Sequence, residues 1–156
     1  MNESITYVKG DATKPIGDGP KIVAHIVNSI GVWGAGFVLA VSRRWPKTEA
    51  EYRNWWSTKK GFALGNVQFV EVEPGVFVAN MIAQRGIRTI RETTPIRYDS
   101  LQDCLAKVAD KALELGASVH GPRFGAGLAG GKWETIEKIL EEAVVSRGIL
   151  VTIYDL

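Results

Sequence analysis

Residues 117–131 read ASVHGPRFGAGLAGG. A short run of apolar and β-branched residues closes at His120, and five glycines follow within residues 121–131. Beyond them Trp133, Ile136, Leu140 and Ala143 fall at helical spacing, so a strand hands over to a loop that opens a helix. Residues 21–36, KIVAHIVNSIGVWGAG, repeat the pattern, with three glycines in residues 28–36. Eight of the 17 glycines therefore occupy these 20 residues. In an open α/β sheet, ligands bind outside the carboxyl ends of the strands, where backbone amides and a helix N-terminus form a concavity for anions. Glycine suits such loops because a side chain would hold a phosphate away from the amides. Two loops of this kind on one edge favour a diphosphate site over the plainer alternative of two glycine-rich turns.

Outward from these loops, apolar runs at 5–8, 21–27, 67–72, 76–81, 117–120 and 149–154 read as strands. Helix-like stretches lie between them. Residues 36–45 and 46–56 form the first pair, with Pro46 at a helix start, where its missing amide is not needed. Leu101, Leu105, Val108, Ala112 and Leu115 draw one apolar stripe before Gly116 as a stop. A last helix buries Trp133, Ile136, Leu140, Ala143 and Val144, turns Glu134, Glu137, Glu141 and Glu142 largely outward, and is expected to end at Gly148. Alternating strands and helices predict an α/β architecture with a mostly parallel sheet. The turn Glu73-Pro74-Gly75 adds one antiparallel hairpin, so the sheet is mixed. Without linker, repeat or low-complexity segment, residues 1–156 read as a single domain.

Residues 125–130, GAGLAG, also satisfy G-x-G-x-x-G between a strand and a helix. A dinucleotide fold carries that motif in its first βαβ unit. The 26 residues after Gly130 are too few for the remaining strands and a second mononucleotide half, which excludes a nicotinamide dehydrogenase. The inference of a bound pyrophosphate stands.

Composition narrows the class further. With 46% hydrophobic and 23% charged residues, disorder and collagen-like repeats are excluded. A chain of this length buries roughly 70% of its unfolded surface without staples. The single Cys104 closes no internal disulfide and, with only two histidines, leaves no plausible set of metal ligands. Residues 1–20 carry Glu3, Lys9, Asp11, Lys14 and Asp18, which leaves no apolar signal region. No later apolar run approaches the ~20 residues of a membrane span. The expectation is a cytoplasmic protein with no membrane partner and no cofactor. Nineteen basic against 17 acidic residues give +2, too little for general nucleic-acid binding. Arg85, Arg88, Arg91 and Arg97 against Glu92 give a local +3, read as a solvated loop rather than a phosphate track.

Four motifs in order resemble the macrodomains, the ADP-ribose-binding α/β modules: Val8-Lys-Gly-Asp-Ala-Thr13, His25-Ile-Val-Asn28 running into Gly34-Ala-Gly36, Pro122-Arg-Phe-Gly-Ala-Gly127, and Val151-Thr-Ile-Tyr154. Two branches are most similar: the yeast ADP-ribose 1''-phosphate phosphatase and the terminal ADP-ribose protein glycohydrolase. The resemblance implies a three-layer α/β/α fold on a mixed, mostly parallel six-stranded sheet, with ADP-ribose or an ADP-ribosylated macromolecule as partner and a monomer favoured. It implies that Asp11 accepts from the adenine amino group while the Ala12 amide contacts the ring; on the residues alone Asp11 reads as a turn or cap. Asn28 would bind the distal ribose hydroxyls, with an Asx-turn as the alternative. Gly34, Ala35, Gly36 and Phe37 would line one side of the distal ribose and diphosphate, with Phe124, Gly125, Ala126, Gly127 and Leu128 on the other. Tyr154 would lie near the adenine or serve as a core tyrosine. Trp33 would wall off a sugar or plug the core.

For catalysis the candidates are His25, whose imidazole titrates near neutral pH and would activate a bound water, and Asn28, which would orient that water. A histidine inside Ile22-Val-Ala-His-Ile-Val27 reads equally as a satisfied core residue. His120 reads as structural and Cys104 as packing. Where the glycohydrolase branch carries a lysine nucleophile this chain has Ala83-Gln84, and where that branch carries an acidic partner this chain has Ala129. A lysine-dependent covalent mechanism is therefore not supported. Hydrolysis of ADP-ribose 1''-phosphate or an ADP-ribosyl ester through a bound water, with loop amides stabilising charge, is the expected function. A non-catalytic reader of ADP-ribose is the alternative. A nucleic-acid module built on Arg85–Arg97 with Trp55 or Trp56 is the third.

Overall fold

The computed structural model describes residues 4–156; residues 1–3, Glu3 among them, lie outside the described part. Six strands, β1 (Thr6–Lys9), β2 (Lys21–Asn28), β3 (Val67–Glu73), β4 (Val76–Gln84), β5 (Ser118–Gly121) and β6 (Val151–Asp155), form one sheet in the order β1-β6-β5-β2-β4-β3. Every pairing is parallel except β3 with β4, which Glu73, Pro74 and Gly75 turn into a hairpin. The mixed, mostly parallel sheet is the one expected.

Helices cover both faces. Val23 and Val27 of β2 with Val78 and Ile82 of β4 point to α1 (Phe37–Arg44) and α2 (Pro46–Thr58), where Val38, Val41, Trp45 and Tyr52 meet them. Ile22 and Ala24, the alternate residues of β2, face the other way with Ala79, Met81, Val119 and Ile153. There they meet Leu101, Leu105 and Val108 of α3 (Tyr98–Leu115) and Ile136 and Leu140 of α4 (Trp133–Ala143). Period-two alternation in the strands against a 3.6-residue period in the helices fixes the three layers.

Several boundaries shift by a few residues from the sequence expectation, with β4 running on to Gln84 and α2 to Thr58, and two shifts touch the helices that follow the glycine loops. Residue 36 is the N-cap of α1 rather than its first turn. The last helix ends at Ala143 instead of continuing to Gly148, because Val144 leaves helical φ and a 3-10 turn at Val145–Arg147 follows, closed by left-handed Gly148. The β-branched pair Val144-Val145 disfavours further α-turns, and both side chains are buried under the sheet.

Candidate functional site

Parallel strands β1, β6, β5, β2 and β4 all end on the same edge, so the loops that leave them gather there. The loops after β2 and β5 touch: a Cβ placed on Gly36 would sit 3.3 Å from Leu128 Cδ1. The two glycine loops singled out in the sequence thus lie against each other on that edge. Gly34, Ala35 and Gly36 are exposed on one side and Gly127 and Leu128 on the other, with Gly125 and Ala126 half-buried behind them. Phe124 is buried at the root of the second loop, edge-on to Trp133 at 5.9 Å, so it supports the wall rather than facing a ligand.

The first wall is held by polar and aromatic contacts from below. Asn28 Oδ1 accepts from the amides of Ile30 and Val32, each at 3.1 Å, and its Nδ2 donates to the Val32 carbonyl at 2.6 Å. The buried Tyr52 hydroxyl donates to the Asn28 carbonyl at 2.6 Å. Asn28 therefore builds the Asx-type turn that starts the loop, the alternative raised by the sequence. Trp33 is the plug and not the wall: it is buried among Tyr52, His25, Val23 and Val38. The Trp56 ring lies directly over Gly31, leaving no room for a Cβ there, with the Lys59 ammonium over the Trp56 ring.

His25 lies deeper still. It is 1% exposed, sealed by Trp33 and Phe37 at ring distances of 5.5 and 5.7 Å. Its Nε2 lies 2.5 Å from Asn80 Oδ1, Asn80 Nδ2 donates to Gln68 Oε1 at 3.0 Å, and Gln68 Nε2 donates to the Glu51 carbonyl at 3.0 Å. The direction of that relay places the imidazole hydrogen on Nε2. Burial pushes the imidazole down to about 4 against the opposing effect of its hydrogen bond to Asn80. A ring sealed in this way beneath Trp33 and Phe37 offers no face to a ligand in this structure, so its position supports the loop above it, and the acid–base role expected of His25 finds no support in the geometry. Nothing in the sequence distinguished these two environments, because the sealing residues Trp33 and Phe37 lie eight and twelve positions away.

At the other end of the edge, Asp11 Oδ1 accepts from the amide and hydroxyl of Thr13, at 2.8 and 2.7 Å. Burial works against its charged form, yet those two hydrogen bonds, with Lys14 and Arg44 nearby, hold the carboxyl below its usual range. Its Oδ2 has no hydrogen-bond partner among the described residues. Ala12 is buried beside it. Tyr154 is buried too, and its hydroxyl accepts from the Ile16 amide at 2.9 Å and lies 2.7 Å from His120 Nδ1. That arrangement ties the loop after β1 to the sheet and gives His120 the structural part expected of it. Burial, with Lys21 nearby, pushes the His120 imidazole down to about 4. Cys104 is buried and its thiol pushed up to about 12 by desolvation, which leaves it inert packing.

Sequence reasoning missed Arg123. Its guanidinium bonds both Asp155 oxygens, at 2.8 and 3.1 Å, and lies over Tyr7 and Trp133 at 4.9 and 5.5 Å. The tie spans the second loop, the end of β6 and β1. Its signal was present as an arginine next to the glycines, but its acceptor lies 32 residues on.

A chain of this build has relatives. The ADP-ribose 1''-phosphate phosphatase of Candida albicans is 30% identical over 88% of this chain and 92% of its own length. A macrodomain protein from Streptomyces coelicolor is 52% identical, covers 98% of this chain with 99% of its own, and superposes with a TM-score of 0.89. The chain belongs to the macrodomain family. A chromodomain-helicase-DNA-binding protein 1-like from Danio rerio is also 30% identical over 97% of this chain, which spans 15% of that longer relative. No family model matches the sequence. In this macrodomain no helix among the described residues is long and apolar enough to cross a membrane, and no group of three or more His, Cys, Asp or Glu side chains is placed to hold a metal ion.

Proposed function

We propose that the cleft binds ADP-ribose and that the macrodomain hydrolyses ADP-ribose 1''-phosphate or an ADP-ribosyl ester. The observation that carries the reading is the meeting of the two glycine loops at Gly36 and Leu128, on the edge where strand ends and the N-cap of α1 present backbone amides. Three strand spacings separate β1 from β2, about 14 Å along the edge. That span suits an extended ligand with its adenine at Asp11 and Ala12, its diphosphate between the loops, and its distal ribose beside Gly34, Ala35, Gly36 and Phe37. The free Asp11 Oδ2 is the acceptor for the adenine amino group. Tyr154 holds the loop after β1 in place for the ring, and Asn28 shapes the ribose wall.

Hydrolysis then depends on loop amides that stabilise negative charge on the departing group while a bound water attacks. Ala129 is buried, and the Gln84 side chain donates to the Gly86 carbonyl at 2.9 Å, so neither supplies a nucleophile. The second reading, a reader that binds without turnover, is favoured by the burial of His25, which removes the one imidazole near the ribose wall. One series of experiments separates them. Calorimetric titration with ADP-ribose, ADP and AMP tests binding, and incubation with ADP-ribose 1''-phosphate followed by phosphate detection tests turnover. Phosphate release above the buffer rate supports the enzyme. Tight binding with no release supports the reader, and no binding of ADP-ribose ends both.

A further inference from the structure

Residues 85–97 leave β4 beside the first glycine loop and form an ordered arm whose charges remain unmatched. The Arg85 amide donates to the Pro95 carbonyl at 2.9 Å, and Thr89 and Glu92 close the tip through two hydrogen bonds of 2.8 and 3.0 Å. Both cleft walls hold the arm. The Gly86 amide donates to Ser29 Oγ at 3.0 Å, and the Ile96 amide donates to the Ala129 carbonyl at 3.1 Å. Gly130 packs directly on Thr93 and Thr94. The arm's single acidic residue is taken: Glu92 pairs with Arg97 at 3.1 Å. Arg85, Arg88 and Arg91 are exposed and have no side-chain partner among the described residues. Between them Ile87 and Ile90 stand 43% and 99% exposed. A fully exposed isoleucine at an ordered tip gains nothing from the fold.

We propose that this arm docks the acidic, apolar-bearing protein segment that carries the ADP-ribosyl group. The inference rests on the reading of the cleft as an ADP-ribose site, since the arm borders the end of the edge opposite Asp11, where the linkage to a carrier would emerge. Charge complementarity fixes the sign of the partner, because three guanidinium groups in the +3 segment face solvent unpaired. The isoleucines fix its kind. They match apolar side chains of a peptide, whereas a nucleic acid would call for aromatic rings to stack on. The arm has none. Trp55 and Trp56, the rings that a nucleic-acid module would use, sit on α2 and pack on Phe62 at 4.9 and 5.2 Å, with Trp56 also covering Gly31.

The test compares four probes by calorimetry or fluorescence anisotropy: free ADP-ribose, a peptide bearing one ADP-ribosyl group flanked by Glu and Leu, the same peptide with Ser and Lys flanks, and a single-stranded 12-mer DNA bearing one ADP-ribosyl group. The acidic peptide is expected to bind about tenfold tighter than free ADP-ribose, the scale of three exposed ion pairs acting together. Raising the salt should shrink the advantage. The triple variant Arg85→Ala, Arg88→Ala, Arg91→Ala should erase it while leaving free ADP-ribose affinity unchanged, and Ile90→Ser should reduce it about threefold. Equal affinity for both peptides overturns the docking surface and leaves the cleft standing. Preference for the DNA overturns the partner class. Failure to bind free ADP-ribose overturns the cleft and the docking surface together.

Discussion

The two glycine loops share a strand edge and a composition, yet they are held in place by different physics. In the loop after β5, glycine is a packing requirement. A Cβ on Gly125 would meet Ile96 Cδ1 at 2.6 Å and both Ile136 and Ile26 at 3.0 Å, and one on Gly130 would run into the backbone of Thr93. In the loop after β2 only Gly31, under the Trp56 ring, is set by close packing; Gly36 needs its left-handed φ of +78°, Gly34 is open with its nearest neighbour at 3.9 Å, and the loop is held mainly by Asn28, Tyr52 and the aromatic rings beneath it. Glycine count alone hides this distinction: some glycines serve the core, and others leave the cleft open.

The largest test of that contrast is Gly125→Ala. A methyl group at φ +82° between three isoleucines combines overpacking with a left-handed backbone. The expected loss is about 3 kcal/mol of stability, a fall in Tm of roughly 6–12 °C for a chain of this size. A calorimetric Tm within about 2 °C of the parent would show that the second loop is not set by packing.

Acid is a second test, of comparable size. Both histidines are neutral and buried, each with its folded pKa pushed down to about 4 from a usual value of 6.5. Between pH 6.5 and about 4 the unfolded chain binds more protons than the folded one, so stability falls as pH falls through that window. It is fully present above about 6.5, and each histidine contributes up to about 3 kcal/mol. Urea unfolding at pH 7, 6 and 5 should show the decline, and a flat profile would contradict the buried relay. Because His25 lies under the first loop, protection of amides 29–36 against hydrogen exchange should drop with acid before that of amides 125–131.

Much of this architecture was legible from the sequence. Period-two and helical patterns located every strand and helix to within a few residues, because burial on one face leaves a periodic trace. The glycine loops were legible, as two strand-to-helix junctions on one sheet edge, for the same local reason. What was not legible depends on partners distant in sequence. Whether Trp33 is a wall or a plug, whether Asn28 faces a sugar or its own turn, and whether His25 meets solvent are decided by Tyr52, Phe37 and Asn80. None of these leaves a local pattern. Arg123 and Asp155 are the same case, a tie that neither residue announces alone.

A third loop extends the contrast at smaller scale. The segment after β1 is held by its own side chains, with Asp11 bridging to Thr13 through Oδ1 and leaving Oδ2 open. Asp11→Ala removes both functions. ADP-ribose binding should weaken by ~1–3 kcal/mol, the range for a lost buried hydrogen bond to a charged group. AMP, which carries the same adenine, should weaken in parallel. An unchanged affinity for both ligands would refute the adenine contact.

The smallest expected change in stability tests the contrast most sharply. Gly34 and Gly127 have negative or extended φ and open space where a Cβ would go, the nearest atom to Gly34 being Val32 Cγ1 at 3.9 Å and none lying within 4 Å of Gly127. Alanine at either position should alter stability by no more than about 0.5 kcal/mol, and reduced freedom of the unfolded chain acts in its favour. If these two glycines keep the walls bare so that backbone amides reach a diphosphate, the same methyl groups should weaken ADP-ribose about tenfold, or roughly 1.4 kcal/mol. The two measurements then move independently: Gly125→Ala lowers Tm, whereas Gly34→Ala and Gly127→Ala lower affinity at an unchanged Tm. Should the open-space variants bind ADP-ribose as tightly as the parent, the glycines facing the cleft would be turns rather than a ligand surface. The diphosphate would then have to lie elsewhere on the edge.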